Sequence, residues 1–213
     1  MRIYISPSNQ DGNKYAYGNT NEMEVCNKIA DKVVEGLALN GFTVKKAKKG
    51  QAMNVSINES NSFKADLHIC IHTNAGGGNG TVVFVYDKSK NNMRFAEAIY
   101  DAVQAVTPGK IDYGVREYPS LAEINSTKAI TVYVEVDFHD NKDIAKWLIN
   151  NTETVAEAIC KGVCKACGVQ YKPNSSKGKI YRVQVGAFTE KRGAEKLAKE
   201  LNEKGYKTII KVE

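Results

Sequence analysis

The sequence predicts an α/β fold, with a mostly parallel central sheet flanked by helices and a small C-terminal β-α-β module. Three observations carry this. Short apolar runs alternate with segments of helical period along the first 170 residues. Two of those runs, Leu67–Ile71 and Ala129–Val136, read as strands buried on both faces. The charge is divided: residues 171–213 hold 11 Lys+Arg against 5 Asp+Glu, and residues 1–170 hold 19 of each, so the net +6 lies in the tail.

The elements follow in order. Arg2–Ile5 is a short opening strand, and Ser6–Asn19 is a polar loop. Asn21–Asn40 is helical, with Val25, Ile29, Val33 and Leu37 stepping by four; Thr20 or Asn21 caps it and Gly41 ends it. Phe42–Val44 is the next strand, and Lys45–Asn54 a basic loop. Residues 55–64 form a short helix leading into the strand at 67–71. Thr81–Tyr86 is rich in β-branched and aromatic residues, as strands are. Met93–Val106 is a helix stopped by Pro108 and Gly109, and 110–128 reads as irregular. Asp143–Cys167 is one helix or two in succession. Tyr171–Gly178 is a Pro/Ser/Gly linker, after which strand 181–187, helix 190–204 and strand 206–212 make the small module.

Composition excludes several classes. A hydrophobic content of 42% is enough for a packed core, and no apolar run is long enough to span a bilayer. The start, MRIYISPSNQ, has no basic-then-apolar leader, which predicts synthesis in the cytoplasm without a signal peptide. Five cysteines argue against a disulfide framework. Cys160, Cys164 and Cys167 share one helical face, a spacing that suits an iron–sulfur cluster but more commonly marks core. The basic tail beside a neutral domain suits attachment to a polyanion. No nucleic-acid motif accompanies the charge, so neither nucleic acid nor membrane insertion is expected.

Chemistry-bearing residues gather at one sheet edge. In open α/β sheets, ligands sit beyond the carboxyl ends of the strands. The Ser6–Gln10 loop, His72 and Glu135 all belong there. A histidine on a rigid strand end is a good metal-ligand position, although it also suits plain strand capping. A buried carboxylate such as Glu135 needs a partner, or its pKa rises. Glu24, three residues after Asn21, suits the helix cap, which leaves Glu22 available for other work.

Three segments, NEMEVCNKIAD around Glu22, ADLHICIHTNAG around His72 and VEVDFHDN around Glu135, resemble the zinc-dependent N-acetylmuramoyl-L-alanine amidases. These are cell-wall hydrolases that cut the lactyl-to-alanine amide of peptidoglycan. The resemblance covers about residues 1–169 and implies a catalytic domain over 1–170 with linker 171–178. It further implies a zinc cofactor held by Glu22 and His72, with Glu135 as general base. The family's first histidine is missing: its place reads SPSNQ. Gln10 and His139 are the candidates to complete the metal site. His68 is a weaker one, ~13 Å back along the strand from His72. Phage lysins of this type combine such an opening with an FHDN ending, which implies a variant site rather than a dead one. Asn74 and Arg116 are candidate substrate-binding residues for the peptide stem. The rival reading is a peptidoglycan-binding protein that has lost catalysis.

The tail, with RVQVGAF and GYKTIIKV, resembles half of a SPOR repeat, a peptidoglycan-binding module built from two such halves. The partner expected is therefore bacterial peptidoglycan, reached after release from the cell by phage or mother-cell lysis. A lone β-α-β of residues 179–213 buries too little apolar surface to stand alone, which predicts a homodimer through this module.

Overall fold

The computed structural model describes residues 1–173, 184–206 and 208–211. Its contacts divide the chain into two units, parted between residues 174 and 175. The larger unit runs β1 (Arg2–Pro7), α1 (Glu22–Leu39), β2 (Thr43–Lys46), α2 (Met53–Phe63), β3 (Leu67–Asn74), β4 (Val82–Val85), α3 (Lys90–Gln104), β5 (Val115–Glu117), α4 (Ala122–Ser126), β6 (Ile130–Phe138), α5 (Lys142–Asn150) and α6 (Thr152–Ala166). The strand order is β2-β1-β3-β6-β4-β5. The first four strands are mutually parallel; β4 runs antiparallel to β6, and β5 is parallel to β4.

β3 and β6 lie at the centre, as their apolar runs require. Their alternation separates two kinds of face. Leu67, Ile69, Ile71, Val132, Val134 and Val136 are buried in the main core with residues of α1, α3 and α6. His68, Cys70, His72 and Tyr133 point the other way and are also buried. Both faces of β3 are dry, but only one is apolar.

The helix α1 shows how local sequence sets the frame. Asn21 accepts a hydrogen bond from Glu24 N at 3.0 Å, so Asn21 is the N-cap and Glu22 opens the helix. At the other end Gly41 has φ +86°, and Phe42 N and Gly41 N reach back to Leu37 O and Ala38 O. That pair of bonds is a Schellman stop, which needs a residue at ease in the left-handed region. Between the caps Val25, Cys26, Ile29, Ala30, Val33 and Leu37 are buried.

Helix α6 packs against α1 and α3 through small residues. A Cβ at Gly162 would lie 2.6 Å from Ile99 Cα and 2.7 Å from Ala98 O, both backbone atoms. Gly162→Ala is therefore expected to destabilise the protein by about 1–3 kcal/mol, because neither helix can yield without moving. Urea unfolding checks this; an unchanged midpoint contradicts the close contact. Cys160 and Cys164 on the same helix are buried in the core and all five cysteines are free thiols, in line with the core reading.

Several boundaries differ from the sequence reading. β3 and β6 run on to Asn74 and Phe138, so His72 and Glu135 sit inside the strands, paired with each other just before a register shift. The segment 110–128, read as irregular, contains β5 and α4. Elements of three and five residues are too short for periodicity to show. Residues 143–167 form two helices, the second opening after Asn151.

In the smaller unit the expected helix is present as α7 (Lys191–Glu203). Of the expected strand 181–187, residues 181–183 lie outside the described residues, and 184–187 show no strand pairing among the described residues. Residues 208–211 are likewise not in a ladder among the described residues. No residue of α7 is buried, and Val185, Phe188, Tyr206, Ile209 and Ile210 are exposed, Ile209 at 93%. Among the described residues no helix is long and apolar enough to cross a membrane.

Candidate active site

The parallel strands β1, β3 and β6 end side by side, and the start of α1 lies against them. Ser8 N donates to Ile71 O at 2.9 Å, extending the β1–β3 ladder past Pro7 and aiming the following loop over the sheet edge. Glu22 is only 1% exposed. Its Oε1 lies 2.8 Å from His72 Nδ1 and accepts from Thr73 N at 3.3 Å. Its Oε2 accepts from Asn13 Nδ2 at 2.7 Å. Burial pushes the Glu22 carboxyl up, but the hydrogen bond and charge of His72, with Asn13 and Ser8, hold it below its ordinary value. For His72, burial works downward, and the Glu22 hydrogen bond with the charges of Glu135, Glu22 and Glu123 raises it overall. The pair sets an imidazole nitrogen 2.8 Å from a carboxylate oxygen, two donor types that zinc takes.

Glu135 pairs with His72 across β3 and β6. Its Oε2 is shut off from solvent and has no hydrogen-bond partner, and it is the only such side-chain atom among the described residues. Burial pushes the carboxyl up to about 7, the charge of His72 offsetting part of this and that of Glu22 adding to it. Tyr133, two residues earlier on the same strand face, stacks on the His72 ring at 4.5 Å and fixes its plane. An orphaned carboxylate oxygen beside a His–Glu pair fits a site built for a cation and a proton acceptor.

The other sequence candidates are placed as follows. Gln10 is exposed, and its Oε1 accepts from Asn13 Nδ2 at 2.6 Å, so Asn13 bridges Gln10 to Glu22. His139 is buried. Its Nδ1 lies 3.0 Å from both Thr73 O and Thr73 Oγ1, and its ring stacks on Tyr15 at 5.0 Å. A carbonyl oxygen only accepts, so Nδ1 carries a proton, and in the neutral ring the lone pair is then on Nε2. Glu22, His72 and His139 do not bring three ligand atoms within 4.8 Å of one another. Asn74 uses its side-chain oxygen on Ala75 N at 2.8 Å. Arg116 pairs with Phe84 on β4, which pairs with Tyr133 on β6, so it shares the His72 face, three strands away from β3. Its Nε donates to Tyr113 O at 3.1 Å.

Sequence reasoning missed the supports. Asp137 is fully buried and accepts from Gly80 N at 2.8 Å and Gly109 N at 2.9 Å. It holds two loops so close that a Cβ on Gly109 would lie 2.1 Å from Gly80 N. Asp140 Oδ2 accepts from Gly76 N and Gly77 N at 2.7 and 2.8 Å, gathering the glycines that follow β3. Asn141 caps α5. The segment EVDFHDN therefore carries two site candidates, Glu135 and His139, and three residues, Asp137, Asp140 and Asn141, that lock the loops and helix around them. His68 is the weaker ligand candidate of the sequence. It is buried and bonded to Ser60 Oγ at 2.9 Å and Glu123 Oε1 at 3.1 Å. With Cys70 it forms the one group among the described residues in which three His/Cys/Asp/Glu ligand atoms lie within 4.8 Å.

The sequence profile of the N-acetylmuramoyl-L-alanine amidases matches residues 3–165. The chain belongs to this family. The profile of the SPOR domain matches residues 177–213 of the amidase. A sporulation-specific N-acetylmuramoyl-L-alanine amidase of Bacillus subtilis (strain 168) is 26% identical over 222 residues, covering 99% of this chain and 84% of its own. An uncharacterized 38.4 kDa protein of Clostridium perfringens is 28% identical over 177 residues; these cover 78% of the amidase but about half of that relative, 52%. Among solved structures, the catalytic domain of the CwlV amidase of Bacillus (Paenibacillus) polymyxa var. colistinus superposes with TM-score 0.70 at 20% identity, covering 79% of this chain and 99% of that one. The catalytic domain of the CD27L endolysin targeting Clostridia difficile gives 0.65 at 24% identity, covering 81% and 99%. At these identities the likeness establishes the fold.

Proposed function

We propose that the protein hydrolyses the amide between N-acetylmuramic acid and the L-alanine of the peptide stem in peptidoglycan. The observation that supports this most directly is the unpartnered Glu135 Oε2 beside the Glu22–His72 pair, in a chain of the amidase family. Glu22 and His72 would hold zinc, with Gln10 or His139 as a third donor. When bound, zinc supplies Lewis acidity towards a water and the amide carbonyl. Glu135 takes the proton of the attacking water and returns it to the leaving nitrogen; a carboxyl poised near 7 can do both at neutral pH. Tyr133 keeps His72 oriented, and Asn13 keeps Glu22 oriented. Arg116 and Asn74 face the peptide stem.

The chemistry names its own assay. Cleavage of purified peptidoglycan frees the α-amine of L-alanine and no new reducing sugar ends. Appearance of that amine supports the reading; binding to walls without amine release leaves a wall-binding protein and overturns it.

The basic 171–213 segment attaches the enzyme to the wall, and wall lysis from within the producing cell is the proposed setting. The apolar residues exposed around α7 support pairing of two copies through this module. Light scattering is expected to give a dimer for the 213-residue chain and a monomer for one ending at Tyr171; a monomeric full chain at micromolar concentration rejects the pairing.

A further inference from the structure

We propose that His68, Cys70 and Glu123 hold a structural metal ion of the zinc type, independent of the Glu22–His72 pair. His68 and Cys70 are two apart on β3 and so share one face, and Glu123 comes from α4. All three are buried, at 0%, 0% and 4% exposure. Their nitrogen, sulfur and oxygen donor atoms lie within 4.8 Å of one another. Tetrahedral zinc with ligands at 2.0–2.3 Å sets its donors about 3.3–3.8 Å apart, a contraction of at most about 1.5 Å. The His68 Nε2 to Glu123 Oε1 distance is already 3.1 Å.

The surroundings orient the ligands. Ser60 Oγ sits 2.9 Å from His68 Nδ1; with the proton on Nδ1, the Nε2 lone pair turns toward Glu123 and Cys70. Ser6 Oγ donates to Glu123 Oε1, and the Tyr4 ring stacks on His68 at 5.3 Å. Without a cation this is a hydrogen-bonded chain, Ser60–His68–Glu123–Ser6, that leaves a buried carboxylate next to a thiol. A divalent cation removes the conflict: it binds the Cys70 sulfur as thiolate, the displaced proton goes to solvent, and the thiolate and carboxylate balance its charge. The ion would tie the five-residue α4 to the central strand, and with it the long excursion between β5 and β6. Mixed nitrogen, sulfur and oxygen donors select zinc over calcium or magnesium.

Sulfur separates this site from the other one. In cobalt(II)-substituted protein, a thiolate-to-cobalt charge-transfer absorption is expected. It should vanish in Cys70→Ser and persist in Cys164→Ala and His72→Ala. Zinc content should be two equivalents in the wild type and one in Cys70→Ser. Glu123→Gln keeps the side-chain shape and weakens the band, which covers the case in which Cys70→Ser fails to fold. Metal-loaded wild type without the band, or a band indifferent to both substitutions, overturns the proposal and leaves a metal-free hydrogen-bonded chain. Failure to release amines from peptidoglycan would not alter the band, so this inference and the proposed activity fail separately.

Discussion

Glu135→Gln is expected to lower amide hydrolysis by about 10²–10⁴-fold, the usual worth of a general base. The variant is informative because little else depends on that carboxylate. Oε2 has no hydrogen-bond partner to lose. Glutamine has the same shape, so the packing between His72 and the end of β6 survives. Stability should even rise in metal-free protein. A carboxyl held up to about 7 binds its proton more tightly folded than unfolded, so the folded state loses stability as pH climbs from the ordinary carboxylate range through about 7. A glutamine has no such loss, and the two proteins should converge in stability at acidic pH. Loss of hydrolysis with unchanged metal content and equal or greater stability at neutral pH is the expected pattern. A variant that hydrolyses at the wild-type rate excludes Glu135 as the base.

The sequence exposes those parts of the fold whose signal is periodic. The apolar period of α1, its Asn21 cap and its Gly41 stop all appear in the structure. So do the central strands, because Leu67–Ile71 and Thr131–Val134 are continuous buried runs. α4 was invisible because five residues make little more than one helical turn, and Glu123 was hidden with it. Without Glu123, 55 residues away, and the bond from Ser60 on the preceding helix, His68 reads as the weaker ligand candidate. Strand periodicity also could not tell that β3 buries an apolar face and a polar one, since His68, Cys70 and His72 interrupt the run without ending it. Asn13 and Asp137 were missed for a different reason. Asn13 reaches Glu22 nine residues away, and Asp137 holds Gly109 and Gly80, which are 28 and 57 residues away; nothing in their local sequence marks that.

His72→Ala is expected to abolish metal retention at the Glu22–His72 site. The substitution removes a nitrogen donor, and it leaves Glu22 buried without the partner that holds its carboxyl down. Glu22→Ala should do the same at greater cost to the fold, because Thr73 N loses its side-chain acceptor and Asn13 Nδ2 loses one of its two. Chelator competition gives the scale. Loss of an orienting partner such as Asn13 costs about 10–100-fold in metal affinity, and loss of a true ligand costs more. Gln10→Ala and His139→Gln can then be ranked against that scale. His139 has the better donor, an imidazole whose Nδ1 contact with Thr73 O frees Nε2. Gln10 has the nearer connection, through Asn13 to Glu22. The residue whose loss matches His72→Ala completes the site. If both fall within the orienting range, the third position belongs to water, and the metal is held by Glu22 and His72 alone.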